Sequence, residues 1–392
     1  MKKFPILISL ILIFSSCEIF VTPNSVGSIK ETDIWVSAYF GAWNHHAPPG
    51  GNWGNLPTEE IDWDAFTHLF YFALTVDQNG NLAPIKEYET FSPSRIKSIV
   101  SAAHSHNTPV LFSVGGWGNY SGFSEAIKSD SREHFIRSII MVMEKWGFDG
   151  VDIDMEPIKP HDEENYKAFI TELHSQLQKR RTPLGLTPYL TTATNWSPNI
   201  FAELHTKFDQ INLMTYDFSG AWEGWVSWHN SPVYSGGKTF LDSDRPLPSA
   251  NSEVEKFLKA GVPKEKLGIG IDFYGYVWSG FVTGPLQNWT IPPTVQSNVP
   301  YHQIMKEYFE KENYQWDAEA KAAYLSKDHL IPLYKQFISY DDEKSIEAKI
   351  NYVREKNIGG VIIWDLSGGY QKEAPKGKKD LLLQKVKKEL HR

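Results

Sequence analysis

The 392-residue sequence predicts an α/β chain built around a closed (β/α)8 barrel, with a small α+β insertion between its seventh and eighth strands. Three observations carry that prediction. Eight short apolar runs alternate with amphipathic helical segments, the pattern of a parallel sheet with helical crossovers. No glycine-rich dinucleotide turn accompanies the repeats, which favours closure over an open doubly wound sheet. The interval 273–337 is too long for one helix and is rich in aromatic and turn residues, such as Pro292 and Pro293, so it reads as a folded subdomain. The expected boundaries are therefore 33–272 with 338–392 for the barrel and 273–337 for the insertion.

In chain order, Lys2 and Lys3 precede an apolar run over 4–14, then Ser15, Ser16 and Cys17. A positive start, a short apolar segment and small residues describe an export signal over 1–16; a membrane span needs about 20 apolar residues. Cys17 is the single cysteine, so no intramolecular disulfide can form. Its place after two small residues resembles the lipobox of bacterial lipoproteins, with Phe14 where Leu is usual. That resemblance implies lipidation of Cys17, passage across the inner membrane and anchoring in the envelope. A plain signal with a free extracellular product is the competing reading. Residues 17–32 then form a short polar tether.

Strands are expected at 34–40, 68–74 and 109–113. The helix at 131–146 carries Phe135, Ile139, Val142, Met143 and Trp146 on one stripe and stops at Gly147. A fourth strand follows over 148–156, then a helix at 163–179 with Tyr166, Phe169, Ile170, Leu173 and Leu177 along one face. Further strands are expected at 184–192, 210–214, 267–271 and 360–364, and further helices at 252–259, 344–356 and 380–390.

The formal charge of -8 argues against a nucleic-acid partner, because binding a polyanion requires a basic face. The 14 tryptophans are unusually many; a large core takes many of them, and clustered indoles in loops also suit stacking on the apolar faces of sugar rings. No set of His, Cys, Asp or Glu has metal-ligand spacing, and His45-His46 sits in a Pro/Gly loop. No metal or cofactor is expected, and the chain is expected to be a monomer.

The fourth strand carries the chemistry. Alternation directs Val151, Ile153 and Met155 to one face and Asp152, Asp154 and Glu156 to the other. A strand buried between helices and barrel interior would ordinarily be apolar on both faces. Along a straight strand, neighbouring carboxylates at this spacing stand about 6.5–7 Å apart. Three acids in a low-dielectric interior cannot all ionise, so pKa values must rise, giving a general acid near neutrality. Glu156, before Pro157, is placed at the barrel mouth, where active sites of such barrels lie. Other strand ends carry Ser113-Val114-Gly115-Gly116-Trp117, Met214-Thr215-Tyr216-Asp217 and Trp364.

The octet Asp149-Gly150-Val151-Asp152-Ile153-Asp154-Met155-Glu156 resembles the DGxDxDxE signature of family 18 glycoside hydrolases, the chitinase family, at every defined position. Ser113-Val114-Gly115-Gly116 resembles that family's third-strand motif. Met214-Thr215-Tyr216-Asp217, with Gly220, Trp222, His229 and Asn230, resembles its sixth-strand motif and loop. Phe273-Tyr274-Gly275 and Ser339-Tyr340-Asp341-Asp342 resemble the edges of its insertion domain. The resemblance implies a TIM barrel and a retaining, substrate-assisted hydrolase of β-1,4-linked N-acetylglucosamine, chitin or its oligomers. Glu156 would be the acid/base, Asp154 would hold the acetamido N–H, Asp152 would support Asp154, and Tyr216 would hold the acetamido oxygen. Trp364 would floor the cleavage site, with Asp217, Met214, Trp117, Gly115, Gly116, Tyr39, Phe72 and Tyr274 lining it. Met155, Pro157 and Tyr276 depart from residues common in the family, so the wall beside Glu156 differs. A lectin-like member and a hydrolase of N-glycan cores or peptidoglycan-type amino sugars are the alternatives.

Overall fold

The computed structural model describes residues 32–45, 53, 56–84 and 93–392. The expected leader, Cys17, nearly all of the tether and His46 lie outside the described residues. Eight parallel strands close a barrel: β1 (Trp35–Gly41), β2 (His68–Val76), β3 (Val110–Gly115), β4 (Gly150–Asp154), β5 (Tyr189–Thr194), β6 (Gln210–Leu213), β7 (Leu267–Asp272) and β8 (Gly360–Trp364). Each pairs with the next, and β1 pairs with both β2 and β8, so no barrel edge is left open. This is a (β/α)8 TIM barrel.

Its strands are buried on both faces. Val151 and Ile153 point outward into the main apolar core with Phe169 and Leu173 of the helix Glu163–Leu177, while Asp152 points into the barrel. The helix Ser129–Trp146 ends as expected at Gly147, whose left-handed backbone (φ 73°) lets its N–H reach the Met143 carbonyl. The helix Glu343–Lys356 starts on a capping box in which Asp342 and Ser345 exchange hydrogen bonds. These stops set the depth at which each strand re-enters the barrel.

Several boundaries differ from the sequence reading, three of them as follows. β5 begins at Tyr189, because Pro183, Gly185 and Pro188 hold the preceding residues in a turn in which Thr182 and Leu186 bond across it. β4 ends at Asp154 rather than at Glu156, since Pro157 has no N–H and the chain leaves the sheet. The segment after β7 forms a five-stranded antiparallel sheet in the order Thr294–Pro300, Tyr274–Ser279, Gln336–Tyr340, Ala322–Lys327, Tyr314–Asp317. Its central strand Gln336–Tyr340 runs three residues past the expected return to the barrel at 338. Among the described residues no helix is long and apolar enough to cross a membrane.

Candidate active site

The site is built upward from Asp152, which is completely buried inside the barrel. Three other strands of the barrel aim hydroxyls at its carboxylate. Tyr39 of β1 and Ser113 of β3 donate to Oδ2 at 2.9 and 3.0 Å, and Thr191 of β5 donates to Oδ1 at 2.7 Å. Burial pushes the Asp152 pKa up, and the three hydroxyls oppose that push. Asp149, the first acid of the octet, stands at the opposite end of the strand. Its Oδ2 accepts from the Val110 N–H at 2.9 Å and lies 2.7 Å from His104 Nε2, so it fixes the start of β4 and takes no part in the site.

Asp154 and Glu156 stand together as a pair of acids at the barrel mouth. Because the strand ends between them, their carboxyls are in hydrogen-bond contact rather than separated by the strand repeat. Two carboxyls can share such a bond only when one is protonated. Burial raises both pKa values, and the charges of Glu156 and Asp152 raise that of Asp154 further. Asp154, enclosed above Asp152, is held well above the usual carboxylate range. Glu156 is pushed up to about 7, mainly by burial; its contact with Asp154 and the backbone N–H of Trp117 pull it down, and the charge of Asp217 adds to the rise. The pair keeps a proton near neutrality and titrates as a unit. Among the described residues, Asp154 Oδ1 has no hydrogen-bond partner although it is buried.

The glycines of β3 permit this geometry. A Cβ on Gly115 would lie 2.1 Å from the Asp154 carbonyl oxygen, and the Gly116 N–H donates to that oxygen at 2.8 Å. Their positive φ values, 114° and 94°, are ones that side-chain-bearing residues rarely adopt. Gly115 and Gly116 thus set the position of Asp154 through the backbone.

Tyr216 is buried beside the acids, and its pKa is held well above the usual phenol range, first by burial and then by Asp217, Asp154, Glu156 and Asp272. It is a neutral donor throughout the physiological range. Asp217, open to solvent at φ 59°, receives the Tyr274 hydroxyl at 2.7 Å and also bonds Tyr276. Met214 is half-buried next to Tyr216. Trp364 is half-buried at the end of β8, its ring packed edge-on against Phe72 at 4.7 Å and tilted against Tyr39 at 5.3 Å.

The predicted residues therefore gather at one barrel end, with different placements. Trp117 stands at the rim, 82% exposed. Tyr39 is buried with its hydroxyl donating to Asp152, and Phe72 packs edge-on against Trp364 within the same aromatic cluster. Sequence reading missed Trp43 and Trp53, which extend this cluster: Trp43 lies 6.1 Å from Trp364, and Trp53 lies 6.1 Å from Tyr274. Their signal was the unusual density of tryptophan after β1. Tyr276, read only as a replacement, is a partner of Asp217. Among the described residues no group of three or more His, Cys, Asp or Glu is placed to hold a metal ion.

Comparison with known proteins agrees with this geometry. Residues 36–369 match the family model described as glycosyl hydrolases family 18. Chitinase A1 of Niallia circulans is 32% identical over 296 residues, covering 68% of this chain and 41% of that protein. The chain thus spans less than half of that relative's length. Chitinase B of Serratia marcescens is 24% identical over 415 residues, covering 88% of this chain and 79% of that protein. The crystal structure of Ostrinia furnacalis Group IV chitinase shares the fold with a TM-score of 0.76 at 23% identity, covering 92% of this chain and 100% of that one. With its octet on β4, its glycines on β3 and a family match across the whole barrel, this chain belongs to glycosyl hydrolases family 18.

Proposed function

We propose that the protein is a retaining, substrate-assisted glycosidase that cleaves β-1,4-linked N-acetylglucosamine chains. The observation that carries this reading is the protonated Asp154–Glu156 pair at the barrel mouth, with an unpartnered buried oxygen on Asp154 and a neutral phenol on Tyr216 facing it. A two-carboxylate retaining glycosidase needs its carboxyls about 5–5.5 Å apart with the sugar between them, and an inverting one needs more. Asp154 and Glu156 touch, so Asp154 has no room to attack a sugar carbon. An orienting role suits it better.

In the proposed cycle, Glu156 gives its proton to the glycosidic oxygen. The substrate's own 2-acetamido carbonyl oxygen attacks the anomeric carbon as the carbon–oxygen bond to the leaving chain breaks, giving an oxazolinium ion. Asp154 Oδ1 accepts the acetamido N–H, and the carboxylate offsets the positive charge that develops. Tyr216 donates to the acetamido oxygen and holds it in line. Glu156, now ionised, takes a proton from water as that water attacks the same carbon, and the ring opens with configuration retained. Trp364 supplies an apolar floor beneath the sugar.

The test is hydrolysis of N-acetylglucosamine oligomers, with product anomers read by NMR, for the wild type and Glu156→Gln. The expected result is β-anomer product from the wild type and a loss of about 10²–10⁴-fold in the variant. Equal activity in both refutes the role of Glu156. Binding without turnover by the wild type assigns the site to a lectin-like protein, and turnover only of N-glycan cores or peptidoglycan-type sugars changes the substrate. We also propose, from Lys2, Lys3, the apolar run and Cys17, that a lipid on Cys17 holds the enzyme in the bacterial envelope. Partition of the full-length protein into the aqueous phase of a detergent separation overturns that anchor.

A further inference from the structure

Behind the cleft lies a buried ionic cluster that the catalytic cycle does not use. Lys349, on the helix after the insertion, is fully buried. Its ammonium donates to Asp272 Oδ1 at 3.2 Å, to Ser231 Oγ at 2.5 Å and to Asp341 Oδ2. Asp272 closes β7, and its backbone N–H donates to Asp341 Oδ2 at 3.2 Å. A buried charge with its partners costs several kcal/mol of desolvation, and apolar residues of the same volume are often no less stable. Stability alone therefore gives no reason for the cluster.

Its outward hydrogen bonds supply one. Ser231, which receives the Lys349 ammonium, donates its hydroxyl to the Thr215 carbonyl at 2.5 Å. Asn230, whose amide donates to Asp272 Oδ2 at 2.5 Å, accepts the Asp217 N–H on its Oδ1 at 3.2 Å. Asn230 is itself pinned through its own N–H to Ser339 Oγ at 2.9 Å. Two chains of hydrogen bonds thus start at one ammonium and end on the backbone on either side of Tyr216. The residue that most needs holding is Asp217, since its left-handed φ of 59° is unfavourable for a residue with a side chain, by about 1–2 kcal/mol.

We propose that Lys349, Asp272, Ser231 and Asn230 are positioning residues that clamp the backbone at Thr215 and Asp217, and so set where the Tyr216 hydroxyl meets the substrate. They touch no substrate themselves. The inference rests on the proposed function for what Tyr216 does, but the clamp is a structural claim with its own readout.

The experiment uses Ser231→Ala, Asn230→Ala, their double variant and Ser231→Thr, none of which removes the ammonium from its carboxylates. In the crystal structure of the unliganded double variant, Asp217 is expected to leave positive φ and the Tyr216 ring to shift relative to Asp154. Each single Ala variant is expected to lose about tenfold or more in kcat with KM changed by less than about threefold. Affinity for a thiazoline analogue of the cyclised acetamido sugar is expected to fall in parallel, and Ser231→Thr, which keeps the hydroxyl, to restore most of both. Residues 214–218 superimposing on the wild type in the double variant overturns the clamp. So does a loss of active fraction on melting with unchanged thiazoline affinity per folded molecule, which marks a merely structural role. If the wild type neither cleaves N-acetylglucosamine oligomers nor binds the thiazoline, the proposed function fails, and the crystallographic comparison still decides the clamp.

Discussion

Replacing Gly115 with alanine is expected to lower turnover without altering any of the proposed catalytic side chains. The added Cβ would start 2.1 Å from the Asp154 carbonyl oxygen and 2.9 Å from its carbonyl carbon. Reaching even 3.0 Å requires a shift of at least 0.9 Å in backbone that belongs to the adjacent barrel strand. Asp154 cannot rotate away, because its carbonyl also receives the Gly116 N–H at 2.8 Å. A displacement of about 1 Å in a reacting geometry costs about 10²-fold in rate. The stability cost has two parts: about 1–3 kcal/mol for an alanine at a φ of 114°, and about 1–3 kcal/mol for the overlap. Gly118 separates them, since it has a similar φ of 91° with nothing within 4 Å of its built Cβ. Gly118→Ala is thus expected to lose stability only through the backbone and to keep kcat within about threefold. Urea melts of both variants and steady-state kinetics on a chitooligosaccharide read the two effects. Gly115→Ala with the same kcat as Gly118→Ala refutes the claim that this glycine positions Asp154.

The remaining predictions concern the acids, the phenol and the floor. Glu156 has a folded pKa of about 7, above its unfolded value of 4.5. The stability this contributes is fully present below pH 4.5 and is lost as pH rises through 7, so the wild type is expected to be less stable at pH 8 than at pH 5. Glu156→Gln removes that loss and is expected to gain about 3 kcal/mol over the wild type at pH 8, measured by urea melts at both pH values; an unchanged difference between the two pH values contradicts it. Tyr216→Phe is expected to lose about 10²–10³-fold in kcat with little change in KM, because a donor needed mainly in the transition state is gone. Its pH–rate profile is expected to keep the wild-type shape, since the phenol stays neutral there; an altered alkaline limb contradicts that. Trp364→Ala is expected to raise KM by about 10–10²-fold through loss of apolar contact, read by kinetics on oligomers of increasing length. An unchanged KM removes Trp364 from the substrate floor.

Much of the site was legible because it is written at short spacing. The period of two in Asp152, Asp154 and Glu156 identified one inward face, and the glycines at 115 and 116 signalled a close backbone approach. Where the reading extrapolated a regular element, it missed. A straight strand separates Asp154 from Glu156, yet the strand stops at Asp154 and the two carboxyls meet. The helix Pro93–Ser105 is absent from the expected elements although it carries Ile96, Ile99, Val100 and Ala103 at helical spacing. Tyr39 illustrates a different limit. Its position at a strand end was readable, but whether its hydroxyl faces substrate or Asp152 depends on the stagger between β1 and β4, which are not neighbours in the barrel.

Local chemistry thus determined the strand–helix alternation, the acid-bearing strand and the candidate acids on its inward face. Apolar periodicity and turn residues act within a few positions and leave their mark on the sequence itself. Tertiary structure alone decided that Tyr39, Ser113 and Thr191 converge on Asp152, and that Lys349 reaches Ser231 across 118 positions. Those contacts exist only once eight strands close at one particular stagger, and that closure is a cooperative property of packing which no short stretch of chain encodes.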